Sequence, residues 1–268
     1  MTNLPRRQLL AIAGFVPGPH PVPRDIAILI RGMVERGIDV DLLLPPGQPL
    51  PARDLGCAVE SFPLNNADEP AALEDLRAYL RERRPNALLS NRDRSGRLLA
   101  HLSPRERPRS VLRIGTNVVE KLGKKNIFVR ARARRQLADA FAAADALIGI
   151  SDGACAALRQ LLADRDAPPV HRIYNCIDLE EANRLAAQPV PHPWLTDKDR
   201  PVILSVGRLV RVKDYPTLIK AFRRVRERRD CRLLILGEGR QRPRLEKLVR
   251  KLHLQEDVSL PGFDANPF

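Results

Sequence analysis

Aromatic residues make up only 4% of this 268-residue sequence, and one of them is its single Trp. Single-stranded nucleic acid is commonly held on aromatic platforms, so this scarcity weighs against that class of partner. Cysteine is scarce too. Cys57, Cys155, Cys176 and Cys231 are widely separated, with no CxxC pair and no His at metal-ligand spacing, which excludes a zinc ribbon and points to reduced thiols. No apolar run approaches the roughly 20 residues that span a bilayer. The opening MTNLPRRQLLAIAGFVPG places two Arg before a short apolar run, superficially like a signal peptide. That run ends in Pro and Gly without a small-residue cleavage site, so it reads as a first buried strand in a cytoplasmic protein.

The excess is positive charge: 46 Lys/Arg against 32 Asp/Glu, a net +14. A surface this basic needs an anionic partner. The charge is concentrated, because residues 105–135 hold eleven Lys/Arg against two Glu, nine of the net fourteen charges. Within it, VEKLGKKNIFVRARARRQLADAF interleaves basic residues with Leu122, Ile127, Phe128, Val129 and Leu137. Basic amphipathic segments lie on anionic membrane surfaces, each basic residue contributing about 1 kcal/mol. Residues 121–135 are therefore expected to dock at the inner face of a membrane. A solvated charged face and a nucleic-acid footprint are the competing readings of the same charge.

Short apolar runs alternate with longer amphipathic segments along the chain, the pattern of parallel sheets covered by helices in an α/β fold. Strands are expected at Gln8–Ala13, Asp39–Leu44, Ala58–Phe62, Ala87–Ser90, Val111–Ile114, Ala146–Ile150 and Val170–Tyr174, with helices at Arg24–Glu35, Ala71–Arg83, Phe128–Ala143 and Gly153–Ala163. These make a first lobe, 1–188. A proline-rich linker follows at 189–200. The alternation then restarts with strand Val202–Val206, helix Tyr215–Arg228, strand Arg232–Leu236, helix Arg242–Leu252 and strand Val258–Leu260, a partial second lobe at 201–268. Three strands and two helices leave a sheet face uncovered, so the second lobe is expected to be incomplete.

The stretch PVILSVGRLVRVKDYPTLIKAF carries the clearest chemistry. A buried strand delivers Gly207 at its carboxyl end, Arg208 and Lys213 occupy the following loop, and Asp214 is placed to cap a helix with Pro216 in its first turn. Ligands of open parallel sheets bind beyond the carboxyl ends of the strands, and a helix N-terminus there favours phosphate. Two cations beside it suit a diphosphate.

These residues resemble the donor-binding loop of family 4 glycosyltransferases, which have the GT-B fold of two Rossmann-like lobes with parallel sheets. LLILGEGRQRPRLEKL is similar to the family's second loop, VSLPGFDANPF to the strand and turn beside the nucleotide base, and YNCIDLE to the segment that closes the first lobe. The resemblance runs from about Ala146 to Phe268, and several motifs in order are more specific than any one alone. It implies transfer of a sugar, with retention, from a nucleotide-sugar donor to a glycan or lipid-linked acceptor in envelope polysaccharide or lipopolysaccharide synthesis. Neither a cofactor nor a bound metal is implied. Arg208 and Lys213 would stabilise charge on the leaving diphosphate. Gly237, Glu238 and Gly239 would form the second turn, and Phe263 with Asp264 would approach the base.

Two departures from the family pattern stand out. The Gly-Gly pair of its first loop is replaced by GFVPGPHPVPRD, which puts His20 and Pro21 about where the pair falls; Gly14 and Gly18 are the nearest substitutes, Pro21 has no N–H to donate, and His20 is one candidate for an acceptor contact. His101 is a second candidate for an acceptor contact. The family's Glu-x7-Glu motif, expected after the segment where this sequence ends, is missing. Glu74/Glu82 and Glu238/Glu246 have the spacing, but the first pair lies on a first-lobe helix and the second starts inside the turn. A nucleotide-binding remnant without turnover, or a basic nucleic-acid-binding protein, are the alternatives to an active transferase.

Overall fold

The computed structural model describes residues 8–15, 22–48, 55–65, 68–91, 93–115, 127–189, 192–197 and 199–268. The chain divides into two compact units, Met1–Ile177 and Asp178–Phe268. In the first, the described elements are β1 (Gln8–Ala13), α1 (Arg24–Val34), β2 (Ile38–Leu44), β3 (Glu60–Pro63), α2 (Glu69–Arg83), β4 (Ala87–Ser90), α3 (Asp93–Leu99), β5 (Arg109–Ile114), α4 (Ile127–Ala142), β6 (Ala146–Gly149), α5 (Asp152–Leu161) and β7 (Val170–Arg172). The seven strands form one parallel sheet in the order β3-β2-β1-β4-β5-β6-β7. The order reverses between β1 and β4, so the topological switch point lies at their carboxyl ends, Ala13 and Ser90.

Adjacent leucines on single strands explain why this sheet is covered on both faces. Leu43 and Leu88 point into one core with Tyr79, Phe141 and Leu158 from the helices. Their neighbours Leu42 and Leu89 point into the other, with Ile26 and Ile30 of α1. Consecutive residues of a strand face opposite ways, so apolar runs rather than alternation mark a doubly covered sheet. Helix starts are set by local chemistry: Asp68 accepts from the Ala71 N–H at 3.1 Å ahead of α2, and Ser151 from the Ala154 N–H at 3.1 Å ahead of α5.

The second unit contains α6 (Leu179–Ala186), the one-turn α7 (Pro193–Thr196), β8 (Val202–Val206), α8 (Tyr215–Arg226), β9 (Arg232–Leu236), α9 (Arg242–Lys251) and β10 (Val258–Gly262). The division at Ile177/Asp178 places α6 and the proline-rich segment with this unit. Asp178 caps α6 by accepting from the Glu181 N–H at 2.9 Å. The three strands are parallel in the order β10-β9-β8. Ile219 and Phe222 of α8 and Leu245 and Val249 of α9 pack on Leu233, Ile235 and Val258, one face of the sheet. On the opposite face Leu204 pairs with Leu234 and Val206 with Leu236. Leu204 and Val206 stay 46% and 49% exposed, which is the open face expected from the element count. Over part of it lie His192, whose Nε2 is 3.4 Å from Ser259 Oγ, and Trp194, stacked under the Arg232 guanidinium at 4.9 Å.

Candidate functional site

Three loops converge at the carboxyl edge of the second sheet. The one after β8 is anchored by Leu209, fully buried between the exposed Arg208 and the half-buried Val210. Its backbone is joined to the loop after β9, the Leu209 N–H donating to Glu238 O at 2.8 Å and the Gln241 N–H to Leu209 O at 2.9 Å. The β9 loop is joined in turn to the end of β10, where the Gly237 N–H donates to Gly262 O at 2.6 Å. This closeness requires glycine. A Cβ on Gly237, whose φ is +139°, would lie 2.1 Å from Gly207 O, and one on Gly239 would lie 2.5 Å from Leu209 O.

On this stitched base stand Arg208 and Lys213. The aliphatic stem of Lys213 passes over Gly207, its Cε 3.6 Å from where a Cβ would be. Arg208 and Lys213 are both exposed, and among the described residues neither side chain has a hydrogen bond or ion pair. The structure thus brings together Gly207, Arg208, Lys213, Gly237, Glu238 and Gly239. Tyr215, at the start of α8, closes the loop by donating its hydroxyl to Gly207 O at 3.0 Å.

Two details differ from the sequence reading. Asp214 stands at the N-cap position of α8 but does not cap it with its side chain: its backbone is left-handed, φ +48°, and capping by the carboxylate needs extended backbone. The helix end also offers few amides, because Pro216 has no N–H and those of Thr217 and Leu218 go to Asp214 O at 3.1 and 3.4 Å. Attraction for an anion therefore rests mainly on the Arg208 and Lys213 side chains.

Glu238 is held by Arg242, a residue the sequence reading did not single out. Arg242 Nε and Nη2 donate to the two oxygens of Glu238 at 2.9 and 2.6 Å, while Nη1 donates to Glu246 at 3.2 Å and to Leu260 O at 2.9 Å. One guanidinium ties the β9 loop, α9 and β10 together, a bidentate geometry that lysine does not reproduce. These bonds hold the Glu238 carboxyl below the usual carboxylate range. The Glu238/Glu246 spacing is thereby explained, since both carboxylates serve Arg242. The signal was the i, i+4 acid–base pattern on either side of it.

Phe263 is 78% exposed, which excludes a core role, and Asp264 turns inward to accept from the Asn266 N–H at 2.8 Å. Both line a cavity of about 410 Å³ with His192, Leu234, Leu236 and Phe268. Burial and the nearby Arg232 lower the His192 pKa below its ordinary value.

In the first unit the carboxyl edge holds a network that sequence alone did not reveal. Arg113, at the end of β5, donates to Asn91 Oδ1 at 2.5 Å, to Asn175 Oδ1 at 2.6 Å and to the Asp25 carboxylate. The Asn91 N–H donates to Ala13 O at 2.9 Å, which places this network at the switch point. Gly14 follows β1 with φ +97°. Gly18, His20 and Pro21 lie outside the described residues, as do Lys121, Lys124 and Lys125 of the basic segment. His101 is 3.2 Å from Glu69 Oε1, and Glu74 pairs with Arg77 at 2.9 Å, both partners within the first unit. Among the described residues no cluster of three His, Cys, Asp or Glu could hold a metal ion, and no helix is long and apolar enough to cross a membrane.

Comparison with known proteins follows the same two units. Residues 190–267 match the family described as glycosyl transferases group 1, and residues 22–176 match the glycosyl transferase 4-like domain. The N-acetylgalactosamine-N,N'-diacetylbacillosaminyl-diphospho-undecaprenol 4-alpha-N-acetylgalactosaminyltransferase of Campylobacter jejuni is 43% identical over 96 residues, covering 36% of this chain and 24% of that protein. The lipopolysaccharide core biosynthesis glycosyltransferase LpsD of Rhizobium meliloti is 32% identical over 91 residues, 32% of this chain and 26% of its own length. The chain thus spans about a quarter of the curated relatives it matches. Among solved structures, sucrose-phosphate synthase of Thermosynechococcus elongatus aligns with TM-score 0.70 at 20% identity, covering 97% of this chain and 72% of that one. HepE of Anabaena, in complex with UDP-glucose, aligns with TM-score 0.68 at 17% identity, over 97% and 71%. At these identities the structures establish the fold. With the 4-like domain matched over more than half of its length, the chain belongs to the glycosyl transferase 4-like family and has the GT-B fold.

Proposed function

We propose that this chain transfers a sugar from a nucleoside-diphosphate donor to a glycan or lipid-linked acceptor of the cell envelope, with retention and without a cofactor or bound metal. The observation that carries this reading is the pair Arg208 and Lys213 at the end of β8, both exposed and, among the described residues, without a hydrogen bond or ion pair. Two free cations on a rigid base suit a diphosphate, whose negative charge grows as the sugar departs. Cations at the diphosphate gain more from that growing charge than from the bound donor, which is stabilisation of the leaving group. Phe263 and Asp264 border the space for the base. Relatives support the rest of the reading: one acts on a diphospho-undecaprenol-linked acceptor, another in lipopolysaccharide core synthesis, and a structural neighbour is in complex with UDP-glucose.

Docking to an anionic membrane surface through residues 121–135 belongs to the same proposal. In the described part, Phe128 and Val129 are exposed at the start of α4 beside the exposed Arg132, Arg134 and Arg135. Apolar anchors among arginines favour an anionic lipid interface over nucleic acid.

Titration calorimetry with UDP and GDP, against single-stranded RNA, tests the reading. One diphosphate should bind, and Arg208→Ala should weaken it about tenfold or more, the loss of one charge-assisted contact. Unchanged diphosphate binding in Arg208→Ala overturns the site, and RNA binding without diphosphate binding overturns the function.

A further inference from the structure

A second basic site lies at the amino edge of the first sheet, the end opposite the carboxyl edge where ligands of such sheets bind. A cavity of about 360 Å³ opens there between the C-terminal half of α2 and the segments leading into β4 and β5, floored by Leu80, Pro85 and Pro108. Its charged lining is Arg77, Arg81, Arg84, Arg105 and a single acid, Glu106. Arg77 is neutralised, paired with Glu74 at 2.9 Å and Glu106 at 3.3 Å. Arg81, Arg84 and Arg105 are exposed, and among the described residues their side chains have no hydrogen bond or ion pair. The end of α2 carries about half a negative charge and the two carboxylates on Arg77 leave about one more, together too little to balance three guanidiniums.

Arg84 adds a backbone argument. It ends α2 in the left-handed conformation, φ +47° and ψ +57°, with its N–H on Leu80 O at 3.2 Å. Helices normally place glycine there because a Cβ is disfavoured. Glycine at this position would relieve the backbone and remove the charge together.

We infer that Arg81, Arg84 and Arg105 form an anion site for a phosphate-bearing ligand, separate from the diphosphate loop at Arg208 and Lys213. Guanidiniums bind phosphate oxygens in pairs, and the cavity is large enough for a phosphorylated small molecule or the headgroup of an anionic lipid. This inference goes beyond the proposed transfer reaction and stands whether or not that reading holds.

The test uses the full chain carrying Arg208→Ala and Lys213→Ala, so that the proposed donor site does not contribute. Inorganic pyrophosphate is titrated in one arm, and vesicles of phosphatidylglycerol in phosphatidylcholine are sedimented in the other. Saturable pyrophosphate binding identifies a free phosphate ligand, and vesicle binding that falls in the triple glutamine variant identifies a lipid headgroup, because binding through residues 121–135 is untouched by that variant. In either case Arg81→Gln, Arg84→Gln and Arg105→Gln should each lower affinity about threefold to tenfold, the range of one exposed to partly buried charge contact. Arg84→Gly is the decisive variant, because it should lower affinity while raising Tm through the relieved backbone. Binding in neither arm, or binding that is the same in the triple glutamine variant as in its parent, overturns the site.

Discussion

The two sheets treat the cations at their carboxyl edges in opposite ways. At the edge of the seven-stranded sheet, Arg113 is surrounded by its own protein, with Asp25, Asn91 and Asn175 occupying its donors. At the edge of the three-stranded sheet, Arg208 and Lys213 have no such partners among the described residues. A cation saturated by neighbouring oxygens organises chain segments, here the start of α1, the end of β4 and the stretch after β7. A cation left exposed on a rigid loop contributes little to folding and remains available to an anion. The glycine-stitched base of the second unit, backed by Arg242, does for its loops what the Arg113 network does in the first, and its backbone bonds leave the charges of Arg208 and Lys213 out of that task.

Perturbing the second unit's backbone base gives the largest expected effect. Gly237→Ala forces a Cβ against Gly207 O and should cost roughly 3 kcal/mol, seen in urea unfolding followed by the fluorescence of Trp194, the only Trp of the chain. Next comes Arg113→Met, which strands the Asp25 carboxylate and the buried Asn91 and should cost roughly 2–3 kcal/mol of first-unit stability. Its UDP affinity should be unchanged. Arg208→Met and Lys213→Met should do the reverse, leaving stability within about 0.5 kcal/mol while weakening UDP about tenfold each in calorimetry. A loss of stability in Arg208→Met comparable to that of Arg113→Met breaks the contrast. The smallest effect concerns acid. Because Arg242 holds the folded-state Glu238 carboxyl below its unfolded value, its contribution is present above the unfolded pKa and is lost as pH falls through the lowered one. Acid melts of Glu238→Gln should lack that loss, and equal acid sensitivity in both proteins removes the clamp from the account.

Much of the fold was legible because its strands are continuous apolar runs. QLLAIA, ALLS, VILSV and RLLIL match β1, β4, β8 and β9 end to end. The strand β7 is shorter than expected, since Ile173 and Tyr174 lie exposed beyond it. Helices α3 and α6 were not read. Gly96 weakens the pattern of α3, and α6 has only eight residues, too few to repeat a stripe over the window that a helix pattern needs. Its Asp178-x-x-Glu181 start was nonetheless a usable signal. The cation loop was legible for a related reason: Gly207, Arg208, Lys213 and Pro216 are close in sequence, and a local motif needs no long-range information. The networks were not. Asp25, Asn91, Arg113 and Asn175 come from four segments that only the strand order brings together. The Arg77, Arg81 and Arg84 row reads in sequence as a solvated helix face, and its cavity appears only when the approach to β5 is placed beside it.

The sequence by itself determined the elements, the parallel sheets and the donor-like loop, because hydrophobic period and turn chemistry act over a few residues. The tertiary structure decided which charges are spent and which remain free. Whether Arg113, Arg208 or Arg242 finds an oxygen depends on which strands and loops lie beside it, and that is fixed by packing across the whole unit.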